Sequence, residues 1–152
     1  MSQIWISVSK ICFGVLVLAS ASSSVAAEKL TFIVNHENPV TSLTINEVRD
    51  YYFKKNRTWP DGTSVRFIDA DETTGAKKAF LSDYLERSSK DVNLYWIGQK
   101  LYSGNSAPLQ ESSESMIVQF VGSLKGAIGY VTDPALATAK DVKIIKVEIS
   151  GK

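Results

Sequence analysis

The chain has 152 residues, 44% of them hydrophobic, with 17 Lys and Arg against 16 Asp and Glu for a formal charge of +1. That balance excludes the basic surface of a nucleic-acid binder and a charge-held seat on anionic lipid. One cysteine, Cys12, and one histidine, His36, exclude a disulfide framework and leave little for Ser–His or Cys–His catalysis.

Residues 1–27 read as a secretory signal peptide: Lys10, an apolar run Ile11–Ala19, then a Ser/Ala-rich stretch ending Val25-Ala26-Ala27. The run is far short of the roughly 20 residues that span a bilayer. Cys12 stands at the start of the apolar core and not at the cleavage point, which argues against a lipid anchor. Cleavage leaves residues 28–152 as one domain in the periplasm, free of cysteine, with 16 basic and 16 acidic residues once Lys10 is gone.

Leu30–Asn35 is short, apolar and β-prone and is predicted as a strand, followed by the loop His36-Glu37-Asn38-Pro39-Val40. Thr44 and Glu47 form a Thr-x-x-Glu capping box, and Ile45, Val48 and Tyr52 give the helix behind it one buried face. That helix dissolves into Lys54-Lys55-Asn56-Arg57, and Trp59-Pro60-Asp61-Gly62 makes a tight turn. A strand from about Ser64 runs into Asp69-Ala70-Asp71-Glu72-Thr73-Thr74-Gly75 and restarts as an amphipathic helix reaching about Arg87.

Ser88 caps the next helix, with Asp91 three residues on. Val92, Tyr95, Trp96 and Gln99 lie on one flank and Leu94, Ile97 and Leu101 on another, so this helix is expected to be wedged between neighbours. After the turn-rich Tyr102–Pro108, a helix starts near Ser112 or Ser113 with Met116, Ile117, Phe120, Val121 and Leu124 at core spacing, and Gly126 ends it. Ala127–Val131 and Asp141–Ile149 are the last two strands. Strands alternating with helices make this an α/β domain with a parallel or mixed sheet flanked by helices.

The junction from Asp69 to Phe80 holds the main candidate site. A strand that ends at a helix start aims unpaired backbone N–H groups and the positive end of a helix dipole at one spot, a seat for an anion. Thr73 and Thr74 add hydroxyls, and Gly75 lets a ligand approach the backbone. Asp69, Asp71 and Glu72 could hold a hard cation, but acids ahead of a helix more commonly cap it, and their spacing is not that of a calcium loop. They would also repel an incoming anion. His36 reads as a solvated loop residue with no partner ligands at metal-site spacing, so no metal and no cofactor are expected. Lys54-Lys55-Asn56-Arg57 could receive an acidic partner or simply complement a helix end, and the aromatics Tyr51, Tyr52, Trp59, Tyr95 and Trp96 fall at spacings suited to the core.

Several stretches in order resemble the phosphate-type periplasmic substrate-binding proteins. They are Ile33-Val34-Asn35, Asn38-Pro39-Val40 with Ser42-Leu43-Thr44, Val48–Phe53 leading to Trp59-Pro60-Asp61-Gly62, and Gly126-Ala127-Ile128-Gly129-Tyr130-Val131. The resemblance implies a single lobe of a type 2 periplasmic-binding-protein fold. The functions it implies are a non-enzymatic module taking a small oxyanion such as phosphate, or an envelope adaptor that kept the fold without a ligand. The partners it implies are a membrane transporter or sensor protein, or a second copy of the chain. The Arg-Ser-Asp-Gly-Ser-Gly-Thr anion loop of that family falls on Ala70-Asp71-Glu72-Thr73-Thr74-Gly75-Ala76, so Thr74 and Gly75 match while the arginine has become Ala70. Losing the guanidinium removes a bidentate clamp on the anion. The candidate ligand-binding residues are Asn35, Thr73, Thr74 and Gly75.

Overall fold

A computed structural model describes residues 29–149, so the expected signal peptide lies outside the described residues. The first strand, β1 (Thr31–Asn35), is followed by β2 (Ser42–Thr44) and helix α1 (Ile45–Tyr52). Next come β3 (Arg66–Ala70), the short α2 (Gly75–Ala79) running on into a π-helical turn Phe80–Leu85, and α3 (Ser89–Ser103). The chain then forms β4 (Leu109–Glu111), α4 (Glu114–Ser123), β5 (Ala127–Val131), a 3₁₀ turn Leu136–Thr138 and β6 (Val142–Glu148).

Six strands form one mixed sheet in the order β2-β6-β1-β5-β3-β4. β1 pairs antiparallel with β5 and β6, whereas β3 is parallel to both β5 and β4. Alternation along β5 assigns the two layers. Gly129 faces α4, where an added Cβ would come within 2.7 Å of Ile117, so only glycine lets this helix lie so close to the sheet. Tyr130 faces the other way and stacks on Phe80, with ring centroids 4.4 Å apart. On that side an aromatic layer of Phe32, Tyr52, Phe67, Phe80 and Tyr84 fills the space beneath α1 and the π-helical turn.

Most predicted elements are present, with the caps where the sequence puts them. Thr44 and Glu47 make the full capping box, and Ser88 accepts from the Asp91 N–H. The helix expected to reach about Arg87 stops at Leu85, where Glu86 turns left-handed at φ 52° and its carboxylate meets Arg49 at 3.2 Å. Gly126, at φ 84°, has the backbone oxygen of Ser64 2.3 Å from where a Cβ would be, which fixes glycine between α4 and β5. Its carbonyl accepts the Trp59 indole at 2.8 Å, so Trp59 belongs to the core.

Two expectations change. β2 and β4 are three residues long each and take their strand character from β6 and β3, which no local pattern announces. The helix expected to be wedged between neighbours is not: α3 buries Val92 and Trp96, but Leu94, Ile97 and Leu101 are 56%, 57% and 75% exposed. A wide apolar face had implied two packing partners, and the fold supplies one.

Candidate functional site

The site grows from the end of β3. The last four residues of this strand are buried, and its parallel neighbour β4 carries the pairing one step further when the Asp71 N–H donates to the Glu111 carbonyl at 2.9 Å. The chain then turns at the carboxyl ends of two parallel strands, the position where open α/β sheets place ligands. The Asp71 carboxylate accepts from the Thr73 N–H at 2.9 Å and from its hydroxyl at 2.7 Å, which closes the turn. These Thr73 contacts hold the Asp71 carboxyl below the usual carboxylate range.

Thr74 is the N-cap of α2, with extended backbone at φ −83° and ψ 150°. Its hydroxyl accepts from the Lys77 N–H at 3.1 Å and donates to the Asp71 carbonyl at 2.7 Å. Both threonine hydroxyls are therefore engaged within the turn. The N–H groups of Gly75 and Ala76 take no intramolecular partner among the described residues, and Gly75 is exposed. Gly75 forms the open part of the seat, and Ala76 beside it is buried.

Beneath the turn lies a group the sequence reading missed. Asp69 and Lys77 are 0% and 1% exposed, and the Lys77 ammonium donates to Asp69 Oδ2. Tyr52 Oη donates to the same oxygen at 2.9 Å and accepts from Lys77 at 3.0 Å. Tyr130 Oη donates to Asp69 Oδ1 at 2.5 Å, and the Ala70 N–H reaches that oxygen at 2.9 Å. Burial, and then the charge of Asp69, push both phenols well above the ordinary tyrosine value, so they stay protonated and act as donors. Removing two charges from water costs several kcal/mol per ion, roughly offset only where the pair is close and its remaining sites are bonded. Here the carboxylate accepts four hydrogen bonds. The quartet ties β3, β5, α1 and α2 together at one point. Its signal in the sequence was a lysine on the buried stripe of a helix, at Lys77 before Phe80 and Tyr84.

The structure thus separates the three acids. Asp69 is the anionic half of a buried ion pair, Asp71 closes the turn, and Glu72 is exposed and accepts from Asn93 at 3.0 Å. Among the described residues, no group of His, Cys, Asp and Glu is placed to hold a metal ion. Ala70, where the receptor loop has an arginine, is buried, on the opposite face of β3 from Asp69.

Thr73, Thr74 and Gly75 are brought together, and Asn35 is not among them. The antiparallel register places Asn35 beside the start of β5, level with the start of β3 and at the other end of the sheet from Ala70. Four residues of strand separate the two ends, about 13 Å. The Asn35 amide is used up in holding α4: its Nδ2 donates to the Val121 and Gly122 carbonyls at 3.0 and 2.9 Å, and its Oδ1 accepts from Glu37. His36 is exposed, with Nδ1 3.3 Å from the Asp141 carbonyl.

No protein-family model matches the sequence, and a search of curated proteins finds no match. Solved structures do match. An ABC-type phosphate transport receptor from Vibrio cholerae superposes with a TM-score of 0.58 at 21% identity, over 80% of this chain and 47% of the receptor. PstS from Borrelia burgdorferi gives 0.58 at 13% identity, over 81% and 48%. A possible phosphate binding protein from Planctomyces limnophilus gives 0.58 at 20% identity, over 81% and 42%. The fold is that of part of a phosphate receptor. The chain spans under half the length of these receptor structures, as a single lobe would, and its receptor-like fold places the β3–α2 junction at the carboxyl end of the parallel strands. Among the described residues, no helix is long and apolar enough to cross a membrane.

Proposed function

We propose that this chain is a periplasmic, non-enzymatic binding module that takes a small oxyanion such as phosphate weakly at the β3–α2 junction, and that it works beside a membrane transporter or sensor protein. The observation that carries this reading is the unpartnered N–H pair of Gly75 and Ala76 at the carboxyl ends of β3 and β4, in a receptor-like fold. Simple electrostatics supports weak binding. A helix start contributes about 0.3–1 kcal/mol toward an anion. A carboxylate about 5 Å away opposes it by roughly 1–3 kcal/mol at effective dielectrics between bulk water and a protein surface. Asp71 and Glu72 stand at the mouth, and the nearby Lys77 is turned inward and neutralised by Asp69. These two terms sum to a net repulsion, so attraction rests on hydrogen bonds from the free N–H groups, and affinity is expected to be millimolar at best unless a partner or a second copy of the chain closes the other side.

Titration calorimetry and thermal unfolding with phosphate and sulfate test this. Ligand at tenfold its Kd should stabilise the fold by about 1.4 kcal/mol. Gly75→Val should abolish the shift by blocking approach to the two N–H groups. The reading fails if neither oxyanion shifts the transition at millimolar concentration. The two acids at the mouth favour the second reading, a ligand-free envelope adaptor on the same fold, and that outcome would select it.

A further inference from the structure

The outer flank of α3 is the largest departure from what its sequence pattern called for. Leu94, Ile97 and Leu101 form an i, i+3, i+7 stripe about 10 Å long, and all three are more than half exposed. Beside the stripe, α3 and the loop at Ser106 and Ala107 enclose an open groove of about 610 Å³ floored by Trp96. An exposed apolar stripe rimmed by polar side chains is the pattern that marks interaction sites on small domains.

The groove is closed at one end by cations. Lys54 Nζ donates to the Ser106 carbonyl at 2.8 Å, Lys100 Nζ to the Ser106 hydroxyl at 3.3 Å, and Arg57 Nη2 to Asn105 Oδ1 at 2.9 Å. Among the described residues none of the three forms an ion pair with a carboxylate. Burial, and then the charge of Arg57, lower the pKa of the Lys54 ammonium, as expected where cations crowd without a counter-charge. The C-termini of α1 and α3 meet here, but each helix end offers only about half a negative charge. Three full charges against two halves leave about two positive charges unbalanced. Lys54 is held in place by a left-handed backbone at φ 55°, so the cluster is built into the end of α1. At the far end of the stripe stand the acids Glu72, which bonds Asn93, and Asp91, with one cation, Lys90, beside them.

We propose that this face of α3 docks an amphipathic helix of a partner protein, with apolar side chains on the Leu94–Ile97–Leu101 stripe and carboxylates on Lys54, Arg57 and Lys100. Charge complementarity selects the partner and its direction: the acidic end of the incoming helix lies over the C-terminus of α3. The surface uses neither of the Gly75–Ala76 donors, and Glu72 alone borders both regions, so docking is tested apart from oxyanion binding.

Two synthetic amphipathic peptides of about five helical turns, with the same leucine face, test the proposal, one carrying glutamate and the other lysine near one end. Fluorescence anisotropy should show the glutamate peptide binding about tenfold or more tighter at low salt, with the difference shrinking near 0.5 M salt. Arg57→Glu with Lys100→Glu should invert the preference, and Leu101→Ser should weaken both peptides about tenfold. These side chains are exposed, so the variants should fold, and unchanged melting temperatures would confirm it. Equal binding of the two peptides, or no binding at millimolar peptide, overturns the proposal. So does a dimer in light scattering that Leu101→Ser dissolves, because a second copy would then be the occupant.

Discussion

The β3–α2 junction and the outer flank of α3 lie within one helix of each other and use their residues in opposite ways. At the junction, groups that look functional in the sequence are spent on the fold: Asp69 is neutralised by Lys77, Asp71 binds Thr73, and Thr74 caps α2. On α3, residues that look structural are left in solvent, with Leu101 75% and the neighbouring Tyr102 90% exposed. Residue type is therefore a poor guide to role in this molecule. What separates the two regions is whether the surrounding elements supply partners, and that depends on how β3, α2 and α3 are stacked.

The largest expected effect breaks the junction. Lys77→Met or Asp69→Leu alone leaves one buried charge uncompensated and should cost about 3–5 kcal/mol in denaturant unfolding. The double variant should recover most of that loss, since it buries no charge. Single losses under about 1 kcal/mol would mean that the pair is solvated and the contrast with α3 is false.

Gly126→Ala tests a site where backbone alone decides. A Cβ there meets Ser64 in a left-handed residue, and a loss of about 1–3 kcal/mol is expected. Thr74→Ala removes the N-cap of α2 and should cost about 1 kcal/mol, with the melting temperature of the ligand-free protein as readout. Ile97→Ser on the open flank should change stability by no more than about 0.5 kcal/mol, and a loss above about 2 kcal/mol would show that α3 is covered within the monomer.

The smallest effect is on pH dependence. The folded carboxyl of Asp71 lies below its unfolded value, so its contribution is complete above about pH 4 and is lost as pH falls through the lower folded value. Stability curves of the wild type and Asp71→Asn should therefore differ at neutral pH and converge in acid. A constant gap down to pH values near 2 would remove the carboxylate from the account.

Local chemistry was legible because it acts over three or four residues. The Thr44–Glu47 box, the Ser88 cap and the β-prone runs at Thr31–Asn35 and Ala127–Val131 appear where the sequence places them, whereas α4 stops at Ser123 and Gly126 serves the turn into β5. The turn at Thr73–Gly75 was legible for the same reason, as a junction of strand and helix. The distance of Asn35 from the turn is not legible in the sequence, because it depends on β1 running antiparallel to β5, a pairing across most of the chain. Lys77 was passed over because a lysine in a helix is ordinarily solvated, and only the arrival of Asp69, Tyr52 and Tyr130 makes a buried one tolerable.

By itself the sequence determined the α/β class, the helix starts and the strand-to-helix turn, since each rests on backbone preferences and contacts between near neighbours. The tertiary structure alone decided the mixed strand order, the separation of Asn35 from the turn, the inward direction of Lys77 and the bare flank of α3. These follow from which surfaces meet. Burial and pairing are properties of two elements at once, and no single segment carries the identity of its neighbour.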